Sequence, residues 1–175
     1  MGDTLHRGFI QVYTGEGKGK TTAAFGQALR AVGRGLKAAI IQFLKDGNSG
    51  EVISMGRLAP EMRVFSFGGE GFCLRPSQED FLNAQRGLAK AEDLMGSGGL
   101  DILILDEICM AVHLGLVKEA SVLKIMKEKP CQMELILTGR NASKGIIEYA
   151  DLVTEMKTIK HPYTGGIKAR LGIEY

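Results

Sequence analysis

Six short apolar runs recur along the chain, and each ends in a polar or glycine-rich stretch. They cover residues 9–13, 36–43, 64–67, 100–105, 133–138 and 152–157. The second contains Ala-Ala-Ile-Ile-Gln-Phe, and the fourth is apolar except for Asp101. Near-continuous apolar runs of this length suit parallel strands covered on both faces. Helical spacing appears between them. Ala24, Phe25, Ala28, Leu29 and Val32 form one face. Ser77 and Asp80 make a capping box just after Pro76, and Phe81, Ala84, Leu88, Ala91 and Met95 mark a stripe that stops at Gly96. A third helix is predicted over 117–129 and is stopped by Pro130. Alternation of strand and helix predicts an α/β fold, a doubly wound parallel sheet with helices on both faces. Ligands in such sheets bind at the carboxyl ends of the strands. Three polar motifs fall there: residues 14–22, Asp106-Glu107 and Gly139-Arg140.

The first of these reads Thr-Gly-Glu-Gly-Lys-Gly-Lys-Thr-Thr. Glycines let backbone N–H groups converge on an anion, and the helix that follows adds the positive end of its dipole. Gly15, Glu16, Gly17, Lys18, Gly19, Lys20, Thr21 and Thr22 are therefore the candidate triphosphate cradle. Lys20 is placed to reach the outer phosphates and Thr21 to ligate Mg²⁺. The usual pattern has glycine five residues before Gly19, where this chain has Thr14. The loop is a variant, consistent with a triphosphate in an unusual pose.

Residues 102–107 read Ile-Leu-Ile-Leu-Asp-Glu, four apolar residues ending in two acids. A carboxylate at that place holds Mg²⁺ directly or through water. Neighbouring side chains on a strand point to opposite sides, so either Asp106 or Glu107 fits the metal while the other braces a loop. Arg140 follows another strand end and is a candidate for bridging phosphate oxygens. No histidine falls in a hydrolase pattern, and His113 sits in an apolar region that suggests a core position.

Composition adds limits. At 175 residues the chain fits one domain, read as a short tail over 1–8 and a single unit over 9–175. A net charge of +2 gives no strong field toward nucleic acid or membrane. There is no apolar run long enough to span a bilayer and no signal-peptide pattern. Cys73, Cys109 and Cys131 are widely spaced and odd in number, as expected of reduced thiols in a cytoplasmic protein.

Longer motifs extend these. Residues 17–26 (Gly-Lys-Gly-Lys-Thr-Thr-Ala-Ala-Phe-Gly), 42–45 (Gln-Phe-Leu-Lys), Gly71-Phe72, 105–107, 138–140, 160–163 (Lys-His-Pro-Tyr) and the ending 172–175 (Gly-Ile-Glu-Tyr) occur in that order. The set resembles the bacterial-type corrinoid adenosyltransferases, from about Phe9 to Tyr175. The resemblance implies a P-loop NTPase-like (RecA-like) fold and a homodimer. It implies transfer of the 5′-deoxyadenosyl group of ATP to a Co(I) corrinoid, with release of triphosphate, in adenosylcobalamin synthesis or salvage. By the same analogy Lys20, Thr21 and Glu107 carry catalysis, with Thr21 and Glu107 or Asp106 on Mg²⁺. Phe72 and Leu74 would face the corrin, and an electron-donating reductase or flavoprotein would supply Co(I). The family often carries Gly-Phe-Thr-Trp in that loop, whereas this chain has Gly71-Phe72-Cys73-Leu74 and no tryptophan. Family members also commonly carry a longer segment before the phosphate loop. The loop and acid pair alone equally serve an ATPase, a small-molecule kinase or an ATP-binding module without turnover.

Overall fold

The computed structural model describes residues 6–69 and 76–174. Six strands form one sheet: β1 (Ile10–Thr14), β2 (Ala38–Phe43), β3 (Met62–Phe67), β4 (Ile102–Asp106), β5 (Glu134–Thr138) and β6 (Leu152–Glu155). Their order is β3-β2-β4-β5-β1-β6, and every pairing is parallel. The helices are α1 (Lys20–Val32), α2 (Gly50–Met55), α3 (Gln78–Gly96), α4 (Ile108–His113), α5 (Glu119–Glu128) and α6 (Lys144–Tyr149). The doubly wound sheet read from the apolar runs is therefore present, with β5 inserted between β1 and β4. None of the described helices is long and apolar enough to cross a membrane.

Every residue of β2, β4 and β5 is buried, which is why these segments are apolar on both faces. Their side chains separate by parity into two cores. Ala39, Ile41, Phe43, Leu103, Leu105, Leu135 and Leu137 pack with residues of α3, α4, α5 and α6. Ala38, Ile40, Ile102, Ile104 and Ile136 pack with Ala24, Phe25, Ala28 and Ala31 of α1. The small face of α1 lets that helix lie close to the sheet, directly after the phosphate loop.

The capping box forms as read. Asp80 donates its N–H to Ser77 Oγ at 3.2 Å, and Ser77 donates its N–H to Asp80 Oδ2 at 2.9 Å. Mid-helix Gly87 lies under the Phe43 ring, where a Cβ would come within 2.7 Å of Phe43 Cε1. Close packing here outweighs the propensity cost of glycine in a helix, about 1 kcal/mol.

Several boundaries differ from the pattern. Helices α2, α4 and α6 are six residues each, too short for a 3.6-residue period to show in the sequence. Helix α5 begins at Glu119, because the Leu116 and Val117 N–H groups both bond back to Ala111 O. Leu36 closes the turn after α1 by donating to Ala31 O and so lies outside β2. His113 is exposed at the end of α4, a correction to the core position suggested by its apolar neighbours. Cys109 is buried and Cys131 exposed, both unpaired, while Cys73 lies outside the described residues. Burial pushes the Cys109 thiol up to about 12, with nearby Glu107 adding to it, so it is inert at neutral pH.

Candidate functional site

The α1 face of the sheet is apolar along β2 and β4 until its last position, and along β5 between Glu134 and its last position. There the parity rule places Gln42, Asp106 and Thr138, with Gln42 and Asp106 in direct register. All three have no exposed surface. Buried polar groups must be satisfied internally, and here they satisfy one another. Asp106 Oδ1 accepts from Thr138 Oγ1 at 2.7 Å and from Thr21 Oγ1 at 2.9 Å. Asp106 Oδ2 accepts from Lys45 Nζ at 2.8 Å and from Gln42 Nε2 at 3.2 Å. Ser66 Oγ donates to Gln42 Oε1 at 3.0 Å and so orients the amide. The apolar strands thus deliver one carboxylate, bonded on both oxygens, to the foot of α1.

The phosphate loop spans the gap between β1 and α1. Gly15 and Gly19 have φ of 95° and 115°, left-handed values that favour glycine. Gly17 donates its N–H to Met156 O at 2.6 Å, and a Cβ on Gly15 would lie 2.5 Å from that same oxygen. The loop is therefore pressed against the backbone that leaves β6. Lys20 Nζ donates to Gly15 O at 2.6 Å and Gly17 O at 2.7 Å, curling the loop around its own lysine. Burial pushes the Lys20 ammonium below its usual range, and Glu107 pulls it partly back. The helix start at Gly19 has no side-chain cap, which leaves the first-turn N–H groups of α1 for an anion. Thr22, Glu16 and Lys18 are exposed. Lys18 Nζ donates to Ile173 O at 2.8 Å and lies 3.5 Å from Glu174, so the C-terminal segment rests on the loop. Half-exposed Arg140 reaches Glu16 of the loop at 3.4 Å.

Glu107 stands beside Asp106 but leaves the strand, with φ of 63°. Its N–H donates to Thr138 Oγ1 at 3.0 Å. Leu44, Glu107 and Asn141 are the non-glycine residues with left-handed backbone among those described, and they follow the ends of β2, β4 and β5. At Leu44 and Glu107 this costs about 1–2 kcal/mol, strain of the kind that collects at functional sites, whereas asparagine adopts it readily. Burial raises the Glu107 carboxyl above the usual range, and Asp106 adds to this, while Lys45, Lys20 and Arg140 pull it back. A carboxyl raised in this way binds its proton more tightly folded than unfolded. Its contribution to stability is complete below the ordinary value and is lost as pH rises through the raised one. Glu107→Gln has no such loss. The expected result is a thermal midpoint for nucleotide-free Glu107→Gln that gains on the wild type as pH rises above the ordinary carboxylate range. A gap that stays flat or narrows over that rise would show that Glu107 is not destabilised by its setting.

The structure thus brings Lys20, Thr21, Asp106, Glu107 and Arg140 to one end of the sheet. Phe72 and Leu74 lie outside the described residues. Gln42, Lys45 and Thr138 also take part, in roles that motifs 42–45 and 138–140 do not by themselves disclose. Gln42 and Thr138 were visible as polar breaks in apolar runs, but only the strand order shows that they flank Asp106. Lys45 carried no periodic signal. Among the described residues no three His, Cys, Asp or Glu side chains cluster as a metal cage. A hydroxyl and a carboxylate still suit Mg²⁺, which takes one or two protein oxygens and completes its shell with phosphates and water.

Known proteins share this architecture. Residues 6–175 match the family model described as ATP:corrinoid adenosyltransferase BtuR/CobO/CobP. The chain is 39% identical over 176 residues to a corrinoid adenosyltransferase of a Sinorhizobium species, covering 98% of this chain and 82% of the relative. It is 37% identical over 172 residues to that of Escherichia coli K12, covering 97% and 86%. It is 36% identical over 171 residues to that of Pseudomonas aeruginosa, covering 97% and 84%. The crystal structure of the RadB recombinase superposes with a TM-score of 0.58 at 15% identity, over 90% of this chain and 78% of that one, a likeness of fold alone.

Proposed function

Because the chain belongs to the ATP:corrinoid adenosyltransferase family, we propose that residues 15–22 hold the triphosphate of ATP while Thr21 and the Asp106–Glu107 pair hold Mg²⁺. The observation that carries this reading is the Thr21–Asp106 hydrogen bond at 2.9 Å, which joins the phosphate loop to the acid strand. In the reaction, cobalt of a Co(I) corrinoid attacks C5′ of the ribose. The C5′–O bond breaks, its electron pair leaves with triphosphate, and a Co–C bond forms as cobalt rises formally to Co(III). No proton moves at the reacting centre, so the site must position the ribose and neutralise the leaving group. Lys20, Arg140 and the first-turn N–H groups of α1 supply positive charge where the leaving triphosphate gains negative charge. Bound Mg²⁺ would add charge neutralisation at the phosphate oxygens.

Phe72 and Leu74 face the corrin in this reading, and an electron-donating reductase or flavoprotein supplies Co(I). The protein acts in the cytoplasm as a homodimer. Exposed Leu152 and Val153 on edge strand β6 offer apolar surface for a second copy to cover. The test is anaerobic incubation of ATP and Mg²⁺ with chemically reduced cobalamin, following the adenosylcobalamin spectrum and the phosphate product. Triphosphate is the expected product, and its formation should vanish without Mg²⁺. Release of ADP, or metal-independent turnover, would overturn the assignment.

A further inference from the structure

The Lys45 ammonium lies between the two groups assigned to the metal, 2.9 Å from Thr21 Oγ1 and 2.8 Å from Asp106 Oδ2. Asp106 has no exposed side-chain surface, whereas the Lys45 side chain retains 30%. A buried carboxylate without a cation is costly, and Lys45 is the cation paired with Asp106 among the described residues. Leu44, directly before it, is held at φ of 59°, which turns the chain at the end of β2 and carries Lys45 across the mouth of the site. Maintaining a left-handed leucine requires that the surrounding structure demand it.

Resting on the metal assignment above, we propose that Lys45 is a resident substitute for the divalent cation. It closes the metal position in the nucleotide-free protein and yields it only to metal that arrives with a triphosphate. The charges favour this order. Free Mg²⁺ gives up its water reluctantly, and Thr21 with the acid pair offers too few oxygens to displace both that water and a bonded ammonium. A triphosphate brings further oxygens and negative charge, which complete the metal shell and also attract the displaced ammonium. Lys45 stands at the solvent edge on a four-carbon stem, so it can turn from Asp106 toward the phosphates without backbone motion. Metal binding is thereby coupled to nucleotide binding, and the empty site keeps its buried carboxylate neutralised.

The full chain without nucleotide can be titrated with Mn²⁺ and followed by electron paramagnetic resonance. Wild type should take up Mn²⁺ far more weakly alone than with ATP and no corrinoid. Lys45→Met should bind Mn²⁺ without nucleotide about tenfold more tightly than wild type, about 1.4 kcal/mol. Its thermal midpoint should fall in chelator and recover with Mn²⁺, while the wild-type midpoint does not respond. Lys45→Gln, which keeps hydrogen bonds to Thr21 and Asp106 but no charge, serves if the methionine variant fails to fold. Adding Asp106→Asn or Glu107→Gln to either variant should remove the gained binding. Equal Mn²⁺ affinity in nucleotide-free wild type and Lys45 variants would overturn the proposal, as would wild type that binds Mn²⁺ as tightly without ATP as with it. The metal assignment fails separately, if ATP-dependent Mn²⁺ binding survives in Thr21→Ala, Asp106→Asn and Glu107→Gln alike.

Discussion

Lys20→Ala is expected to lower kcat/KM for adenosyl transfer about a hundred- to a thousand-fold, or about 2.7–4 kcal/mol of transition-state stabilisation. The lysine is 7% exposed and its ammonium already sits inside the loop, bonded to two loop carbonyls. A triphosphate entering that loop would meet a positive charge held in place and largely stripped of water, where each contact is worth more than in bulk solvent. Folding should suffer little. Burial lowers the Lys20 ammonium, and a base lowered on folding weakens stability at every pH where it is charged in both states. Removing it relieves that cost, which offsets the loss of one buried hydrogen bond to Gly17 O and one part-buried bond to Gly15 O. The measurement is therefore paired: steady-state kinetics with chemically reduced cobalamin, and thermal unfolding without nucleotide. A folded Lys20→Ala protein with near wild-type kcat/KM would end the assignment of this lysine to the triphosphate.

Asp106 should behave in the opposite way, joining stability to metal use. Asp106→Ala removes the acceptor of four hydrogen bonds and leaves the Gln42 Nε2 and Thr138 Oγ1 donors without that acceptor in the interior. Breaking a buried charged pair by deleting one partner costs about 3–5 kcal/mol. The lower end is expected here, because Lys45 is partly exposed and can turn to water. Asp106→Asn is milder. The Thr21 and Thr138 hydroxyls can rotate to accept from its amide, so about 1–2 kcal/mol should be lost. Urea unfolding of both variants reads these costs. In activity, Asp106→Asn should raise the Mg²⁺ concentration needed for half-maximal rate more than it raises the corrinoid KM. Glu107→Gln measured alongside tells which carboxylate carries the metal. If both variants keep the wild-type Mg²⁺ profile, the acid pair is only the end of a strand.

Determined by the sequence itself were the elements whose signals are local. Fully buried parallel strands need mostly apolar residues on both faces, so β2, β4 and β5 stand out as near-continuous apolar runs. Helix α3 announces itself through Ser77, Asp80 and a long stripe, because capping and 3.6-residue spacing are properties of one segment. The phosphate loop is legible for the same reason, since its glycines and lysines act within nine residues. Six-residue α2, α4 and α6 stayed hidden because under two turns show no period. The partners of Asp106 depend on strand order. Gln42 and Thr138 flank it only because β4 lies between β2 and β5, neighbours distant in the chain. Met156 shapes the loop only because β6 pairs with β1. Lys45 reaches Thr21 only through the left-handed turn at Leu44, which no local preference of leucine would select. Chain composition settles which segments must be buried. Which polar ends then meet is decided by how the buried segments stack, because side-chain hydrogen bonds act across a few ångströms of space whatever the distance along the chain.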